Sequence, residues 1–351
     1  MRSVLVIAAS IAFSAHALEI EQPDFSGNVI MDFVSFSNDS AYASSGCYQI
    51  ASNRLLVRKV SVGLSGNVNP LVEYETEVGV ASCAGSGLTV SVKEAGVYLT
   101  PGALRFGVGM THVERGFELG TDCGYTLAME KPMFRLAVSP SCHPLGFIAG
   151  TEFSAGNAGS AEVQLFYGNG NGGTMKDEYD FNAALFYHTP VRGFTAGGFY
   201  NALEMEINPE NEGFENGERY GFGLDYSSSG LMARGEYFQI NGLLPGMIVD
   251  GCTMAAEDVE NTGMIAQAGY LFQLDSESIS SVTPYFQYQE WDRFSNADNG
   301  DYKYSWIATG VKAGVGSSGC YVTAEYKAPS ATPEGQSEDS SVIILRLGVD
   351  Y

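Results

Sequence analysis

The chain has 351 residues, enough for one large domain or two ordinary ones. Acids outnumber bases 41 to 18, a formal net charge of -23, which excludes nucleic acid as a partner because phosphate binding needs Lys and Arg. Charged residues are 17% of a chain rich in Gly (43), Tyr (20) and Phe (20), fewer than the about 25% of an ordinary soluble domain.

Arg2 leads into an apolar run, Val4 to Phe13, and then Ala15-His16-Ala17. A positive start, a short apolar stretch and small residues at positions −3 and −1 predict a secretory signal peptide over residues 1–17, cleaved after Ala17. Leu18 follows instead of Cys, so no lipoprotein anchor is indicated. The run is too short to span a bilayer, which takes about 20 apolar residues. No later segment is long and apolar enough to be a spanning helix. If residues 18–351 lie in a membrane, they do so as one closed barrel.

From Phe25 onward one pattern repeats: an alternating run of about ten residues, a break, then another run. Short breaks fall at 67–70, 101–102, 155–159, 191–193, 227–230, 276–281 and 316–319. Long breaks fall at 37–53, 81–87, 114–146, 169–179, 207–219, 243–261, 295–303 and 329–340. Together they separate about sixteen strands, and short turns opposite long loops are the topology of an all-β transmembrane antiparallel barrel. The even count places both ends of the barrel on the short-turn, periplasmic side.

Faces follow from the period of two. Val72, Tyr74, Thr76 and Val78 oppose Glu73, Glu75 and Glu77. Leu104, Phe106, Val108 and Met110 oppose Arg105, and Thr195, Phe199, Leu203 and Met205 oppose Glu204 and Glu206. Ile307, Val311, Ala313 and Val315 oppose Lys312, and Val322, Ala324 and Tyr326 oppose Glu325 and Lys327. The charged side is expected to line a water-filled lumen, because a barrel this wide is not filled by its own side chains. Wall acids (Glu73, Glu75, Glu77, Glu152, Glu162, Glu204, Glu206, Asp225, Glu325) outnumber wall bases (Lys59, Arg105, Lys312, Lys327, Arg346), and an acidic lumen concentrates cations. In the last segment, VIILRLGVDY, Ile343, Leu345, Leu347, Val349 and Tyr351 form one apolar face; the other carries Arg346 and Asp350. This segment resembles the terminal strand of bacterial outer-membrane barrels and is expected to pair with the strand near Phe25 to Phe36. Alone, it also fits the last strand of a secreted sandwich.

The stretch NRLLVRKVSVGLSGNVNPLVEYETEVGV from Asn53, followed by Lys93-Glu94-Ala95-Gly96-Val97-Tyr98 and Leu104-Arg105-Phe106-Gly107-Val108-Gly109, resembles the phosphate-selective porins of the O and P type. The resemblance runs from Asn53 to Leu119. It implies a sixteen-stranded trimeric pore in the outer membrane, with the third long loop, 114–146, folded into the channel. Its phosphate selectivity does not carry over, because the wall here is acidic.

Constriction candidates on that loop are Glu114, Arg115, Glu118, Asp122, Glu130, Lys131 and Arg135, facing Glu73, Glu75, Glu77, Arg105, Lys312 and Arg346 on the wall. Six cysteines in an exported chain suggest disulfides. Cys123–Cys142 would staple the loop to itself, as an inward plug or as a rigid exterior loop. Cys47 and Cys83 lie on adjoining long loops and are expected to pair. Cys252 and Cys320 fall at opposite ends of the barrel, out of reach of each other.

No Gly-x-Ser-x-Gly, HExxH or P-loop pattern occurs, and His112, His143 and His188 are scattered, so no catalytic residue, metal site or cofactor is expected. The expected function is passive diffusion of ions and small hydrophilic solutes, cation-preferring or weakly selective, in contact with outer-membrane lipid and lipopolysaccharide. The alternatives are a surface adhesin or structural barrel, an anion-selective porin as in the resembled family, and a secreted carbohydrate-binding or hydrolytic β-protein.

Overall fold

The computed structural model describes residues 22–36, 54–83, 87–117, 128, 144–169, 179–208, 213–242, 260–293, 303–317, 319–331 and 341–351. The strands are β1 (Asp24–Phe36), β2 (Arg54–Asn69), β3 (Val72–Cys83), β4 (Gly87–Leu99), β5 (Leu104–Met110), β6 (Leu145–Ser154), β7 (Ser160–Asn169), β8 (Tyr179–His188) and β9 (Phe194–Asn208). They continue with β10 (Gly213–Ser228), β11 (Leu231–Asn241), β12 (Glu260–Tyr270), β13 (Phe272–Gln273), β14 (Ile279–Arg293), β15 (Lys303–Val315), β16 (Cys320–Ala331) and β17 (Val342–Asp350). β12 and β13 both pair with β14 and form one crossing interrupted at Leu271. The result is a closed antiparallel barrel of sixteen crossings.

Closure is made by β17 against β1, in register from Asn28↔Asp350 to Phe36↔Val342. No sheet edge is left, so backbone groups are paired all around, which is the condition for crossing hydrocarbon with strands. Asp32 and Arg346 are direct partners in this register, and Arg346 donates to Asp32 through Nε (2.7 Å) and Nη2 (2.8 Å). Tyr351 ends the seam, exchanging backbone hydrogen bonds with Gly27 and lying where a Cβ at Gly27 would be.

The alternation is the one the sequence predicts on most crossings. On β17, Ile343, Leu345 and Leu347 point outward, while Val342, Ile344 and Arg346 are buried inside. Phe106, Phe147, Phe222 and Phe286 join them in an exposed apolar outer face, the surface a barrel turns to lipid. Inside, flat aromatic rings cover glycines on the next strand: Tyr98 on Gly107, Phe186 on Gly197, Phe199 on Gly221, Tyr285 on Gly310 and Tyr321 on Gly348. Each pair is a direct cross-strand partner, and a Cβ at any of these glycines would overlap the ring. The glycine relinquishes a side chain so that a large ring can lie against the sheet.

Three expectations are corrected. On β9 the faces are reversed: Phe199 and Leu203 point inward and are buried, and Glu204 is on the outer face with Tyr200, whose hydroxyl donates to Glu218 (2.9 Å). Above the apolar belt an outward carboxylate meets water, not lipid, so charge alone does not mark the lumen. The break at 81–87 is a strand connection: Ala81↔Thr89, Ser82↔Leu88 and Cys83↔Gly87 remain paired. The break at 207–219 likewise narrows to 209–212, since β9 runs to Asn208 and β10 begins at Gly213. Polar strand ends standing clear of the membrane lack the apolar alternation by which strands are recognised.

The interior is layered. Toward the long-loop end it is apolar: Val34, Leu56, Phe238, Ile240, Ile265, Trp306, Val342 and Ile344 form one buried cluster. Buried polar side chains are interleaved with it: Arg219 is the cross-strand partner of Ile240, Gln289 that of Ile265 and Trp306, and Asp180, Asn201, Arg219 and Gln289 are all at 1% exposure or less. Nearer the short turns the wall is open to water, with Glu162 at 50% and Arg105 at 47% exposure.

Candidate functional site

After β5, residues 111–117 stay inside the barrel. Thr111 N donates to Pro144 O (3.3 Å), so the two ends of the following loop are held together where β6 begins. Residues 111–117 then run along the inner wall across successive strands. Glu114 N donates to Gln164 Oε1 on β7 (2.8 Å), and Asn182 Nδ2 on β8 donates to Glu114 O (2.9 Å). Arg115 is fully buried and its Nη2 donates to Asp180 Oδ2 on β8 (2.5 Å). Asp180 also accepts from Asn201 on β9, whose Oδ1 accepts from Arg219 Nη1 on β10 (3.3 Å). One guanidinium and one side-chain amide thus hold one buried carboxylate, with a second guanidinium linked through the amide, and charge-assisted hydrogen bonds are strongest where water is excluded.

Gly116 and Phe117 fix the far end of this segment. Phe117 N donates to Glu236 Oε1 on β11 (2.5 Å), and Phe117 O accepts from Arg234 Nη1 (3.3 Å). Gly116 has φ +93°, and a Cβ there would overlap Glu236 Oε1, so both conformation and space require glycine. The Phe117 ring stacks edge-on to Phe186 (centroids 5.1 Å apart) and lies under the Arg234 guanidinium (5.7 Å). It fits a notch made by Gly197 and Gly223, which face each other across β9 and β10; a Cβ at either would press on the ring. Arg234 is steadied in turn by Asp225, its direct partner across the β10–β11 hairpin (2.7 Å).

The wall charges are largely compensated. Lys59 pairs with Glu77 (3.0 Å), and Arg105 reaches Glu73 (3.5 Å) and Glu75 (3.9 Å) while lying 3.7 Å over the Tyr98 ring. His188 approaches Glu162 (4.0 Å) and His112 approaches Glu114 (3.6 Å). The half-exposed pairs are worth about 0–1 kcal/mol each, so they set local potential more than stability. Burial, and next the charge of Glu162, push the Glu114 carboxyl up to about 7. Lys312 stands apart, its Nζ 4.1 Å over the Tyr321 ring.

Of the residues expected at the site, Glu73, Glu75, Glu77, Arg105, Lys312 and Arg346 face the interior, and Glu114 and Arg115 lie on the inner segment. Glu118, Asp122, Glu130, Lys131 and Arg135 lie outside the described residues, as do Cys47, Cys123 and Cys142. Cys83 falls in β3 instead of a loop, and its side chain is also outside them. Sequence reasoning missed Asp32, Asp180, Asn201, Arg219, Arg234 and Glu236. Arg234 was findable as the partner of the wall acid Asp225, since the two lie symmetrically about the turn at Ser229-Gly230.

No family model matches the chain, and no curated protein does. Solved structures do. OmpF of Salmonella typhi matches at TM-score 0.64 and 12% identity, over 94% of this chain and 97% of that one. An anion-selective porin from Comamonas acidovorans matches at 0.62 and 10%, over 94% and 99%. The outer membrane channel DcaP of Acinetobacter baumannii matches at 0.57 and 13%, over 94% and 97%. The chain shares the fold of bacterial outer-membrane porins along nearly its whole described length.

Proposed function

We propose that this protein is an outer-membrane porin, a passive channel for ions and small hydrophilic solutes, with no catalytic chemistry. The observation that carries this reading is a closed sixteen-crossing barrel, apolar outside and charged inside, with a chain segment anchored along its inner wall. That segment, opening the loop 114–146, acts as the constriction. The apolar cluster and the polar side chains interleaved with it are buried, so conduction depends on how this segment sits against Asp180 and its partners.

Selectivity is weakly cationic. On the water-exposed side of the wall, Arg105 meets Glu73 and Glu75, and Glu152 and Glu162 add two further carboxylates, Glu162 beside His188. Lys312 on β15 stands eight crossings away from Glu152 on β6, diametrically across the barrel. Opposed charges across a passage order dipolar solutes as well as ions. The anion selectivity of the resembled phosphate porins is the second reading, favoured by the buried arginines Arg115 and Arg219.

A trimer is supported by the outer faces of β2–β4. Val62, Val78, Val90, Val92, Val97 and Leu99 are exposed there, and Tyr74 is the lone aromatic among the described outward side chains. Elsewhere Phe106, Phe147, Tyr167, Phe222 and Phe286 point outward. Aromatic girdles belong to lipid-facing surface, so the aliphatic sector suits contact with another copy.

Reversal potential in a KCl gradient tests selectivity. A cation preference is expected at pH 8, falling as pH drops through about 7, where Glu114 gains its proton and loses its charge. Glu114→Gln should weaken that pH dependence. An anion preference at pH 8 in the unmodified protein would overturn the cationic reading.

A further inference from the structure

Beyond its place opposite Glu152, Lys312 has surroundings on its own stretch of wall that suit a ligand. The backbone register aligns Thr283, Lys312 and Thr323 across β14, β15 and β16. The Lys312 ammonium rests on Tyr321, whose ring lies flat against Gly348, so the charge is held in place from beneath. Among the described residues no carboxylate lies within ion-pair distance of it. Two charges on β17 act on it from further off, Asp350 and Arg346, and Arg346 is already held by both oxygens of Asp32.

Beside Lys312 the wall opens into a cavity of about 330 Å³ lined by Met232, Gln267, Ser281, Thr283 and, at its far side, Asp225 with Arg234. One end therefore offers an ammonium. The middle offers two hydroxyls over the thioether of Met232, beside the Gln267 amide, whose oxygen accepts from Gln287 (3.2 Å). The other end offers a carboxylate whose charge is partly engaged by Arg234. An anionic group satisfies the first end. The second end repels a further anion but accepts hydrogen bonds from hydroxyls. A molecule with one carboxylate and several hydroxyls satisfies both, and its C–H face can lie on Met232.

We propose that Lys312, Thr283, Gln267 and Asp225 form a binding subsite for a sugar acid, a polyhydroxylated monocarboxylate, in the periplasmic half of the lumen. The subsite deepens the channel reading, because a solute held there lies on the diffusion path. Binding needs no conduction, however, so the two can fail separately.

The test is calorimetric titration of the refolded, detergent-solubilised full chain at low salt with sodium gluconate, sodium acetate and sorbitol. Gluconate should bind more tightly than acetate or sorbitol. Lys312→Gln should weaken gluconate about tenfold, the loss of about 1.4 kcal/mol, and Lys312→Arg should retain most of the affinity. Thr283→Val, which leaves the ammonium and its ring in place, should weaken it several-fold and serves if Lys312→Gln fails to fold. Gluconate that binds no better than acetate, or binds Lys312→Gln and Thr283→Val as well as the unmodified chain, would overturn the subsite. KCl conductance of the same preparations reports separately on the channel.

Discussion

Arg346→Ala will destabilise the barrel by about 3–5 kcal/mol, the cost of leaving one member of a buried ion pair without its partner. Asp32 and Arg346 are both almost fully inaccessible, at 0% and 4%, and meet through two parallel hydrogen bonds. They also sit 314 residues apart in sequence, on the pairing that closes the barrel. Closing a loop of that length is the entropically most expensive pairing in the fold. Interactions at the seam therefore decide whether the barrel shuts. The loss should appear as a lower urea midpoint and a lower temperature for the heat-modifiable gel shift. Arg346→Lys should be intermediate, because an ammonium cannot make the two-pronged contact. Replacing both partners, Asp32→Leu with Arg346→Met, should recover much of the loss, since no buried charge is left alone. Equal stability of Arg346→Ala and the unmodified chain would mean that the seam is held by its backbone ladder alone.

Phe117→Ala will loosen the inner segment and change the current more than any single wall charge does. The partly buried ring contributes about 2 kcal/mol through burial against Phe186 and the Gly197–Gly223 notch. Losing that shifts the docked-to-undocked ratio about thirtyfold. Larger mean conductance and slow current fluctuations are expected, with little change in the urea midpoint, because no strand pairing is touched. Glu236→Ala should act in the same direction by removing the acceptor for Phe117 N (2.5 Å). Gly197→Val should do the same from the wall side by filling the notch. A Phe117→Ala channel with unmodified conductance and noise would show that the segment is held elsewhere, at Arg115 and Asp180.

The barrel was legible because lipid imposes a rule that residues must obey one by one. Ile343, Leu345 and Leu347 had to be apolar, and counting them gave the crossing, the face and the pairing with β1. The rule lapses where lipid does. At 81–87 and 207–219 the strands continue above the membrane in mostly polar or small residues, and nothing in the alternation marks them. On β9 the apolar face is the inner one because Phe199 and Leu203 pack into the lumen, a demand set by residues far away in sequence. Val342 and Ile344 hinted at this: a strand apolar on both faces is buried on both. Arg115 and Glu114 were placed at the site by their position on the loop. Their partners Asp180, Asn182 and Glu236 were not, since a contact spanning 65 to 119 residues leaves no trace in local pattern. The excess of wall acids overstated the field, because Glu73, Glu75 and Glu77 meet Arg105 and Lys59 across strands.

Single-channel recording of the refolded chain in a planar bilayer bears most directly on the account. Discrete current steps are expected, with conductance rising roughly in proportion to KCl concentration, as for a water-filled passage. Heat-modifiable, lipid-inserted protein that produces no steps, in either the unmodified or the Phe117→Ala form, would contradict it and leave a barrel whose work is done outside its lumen.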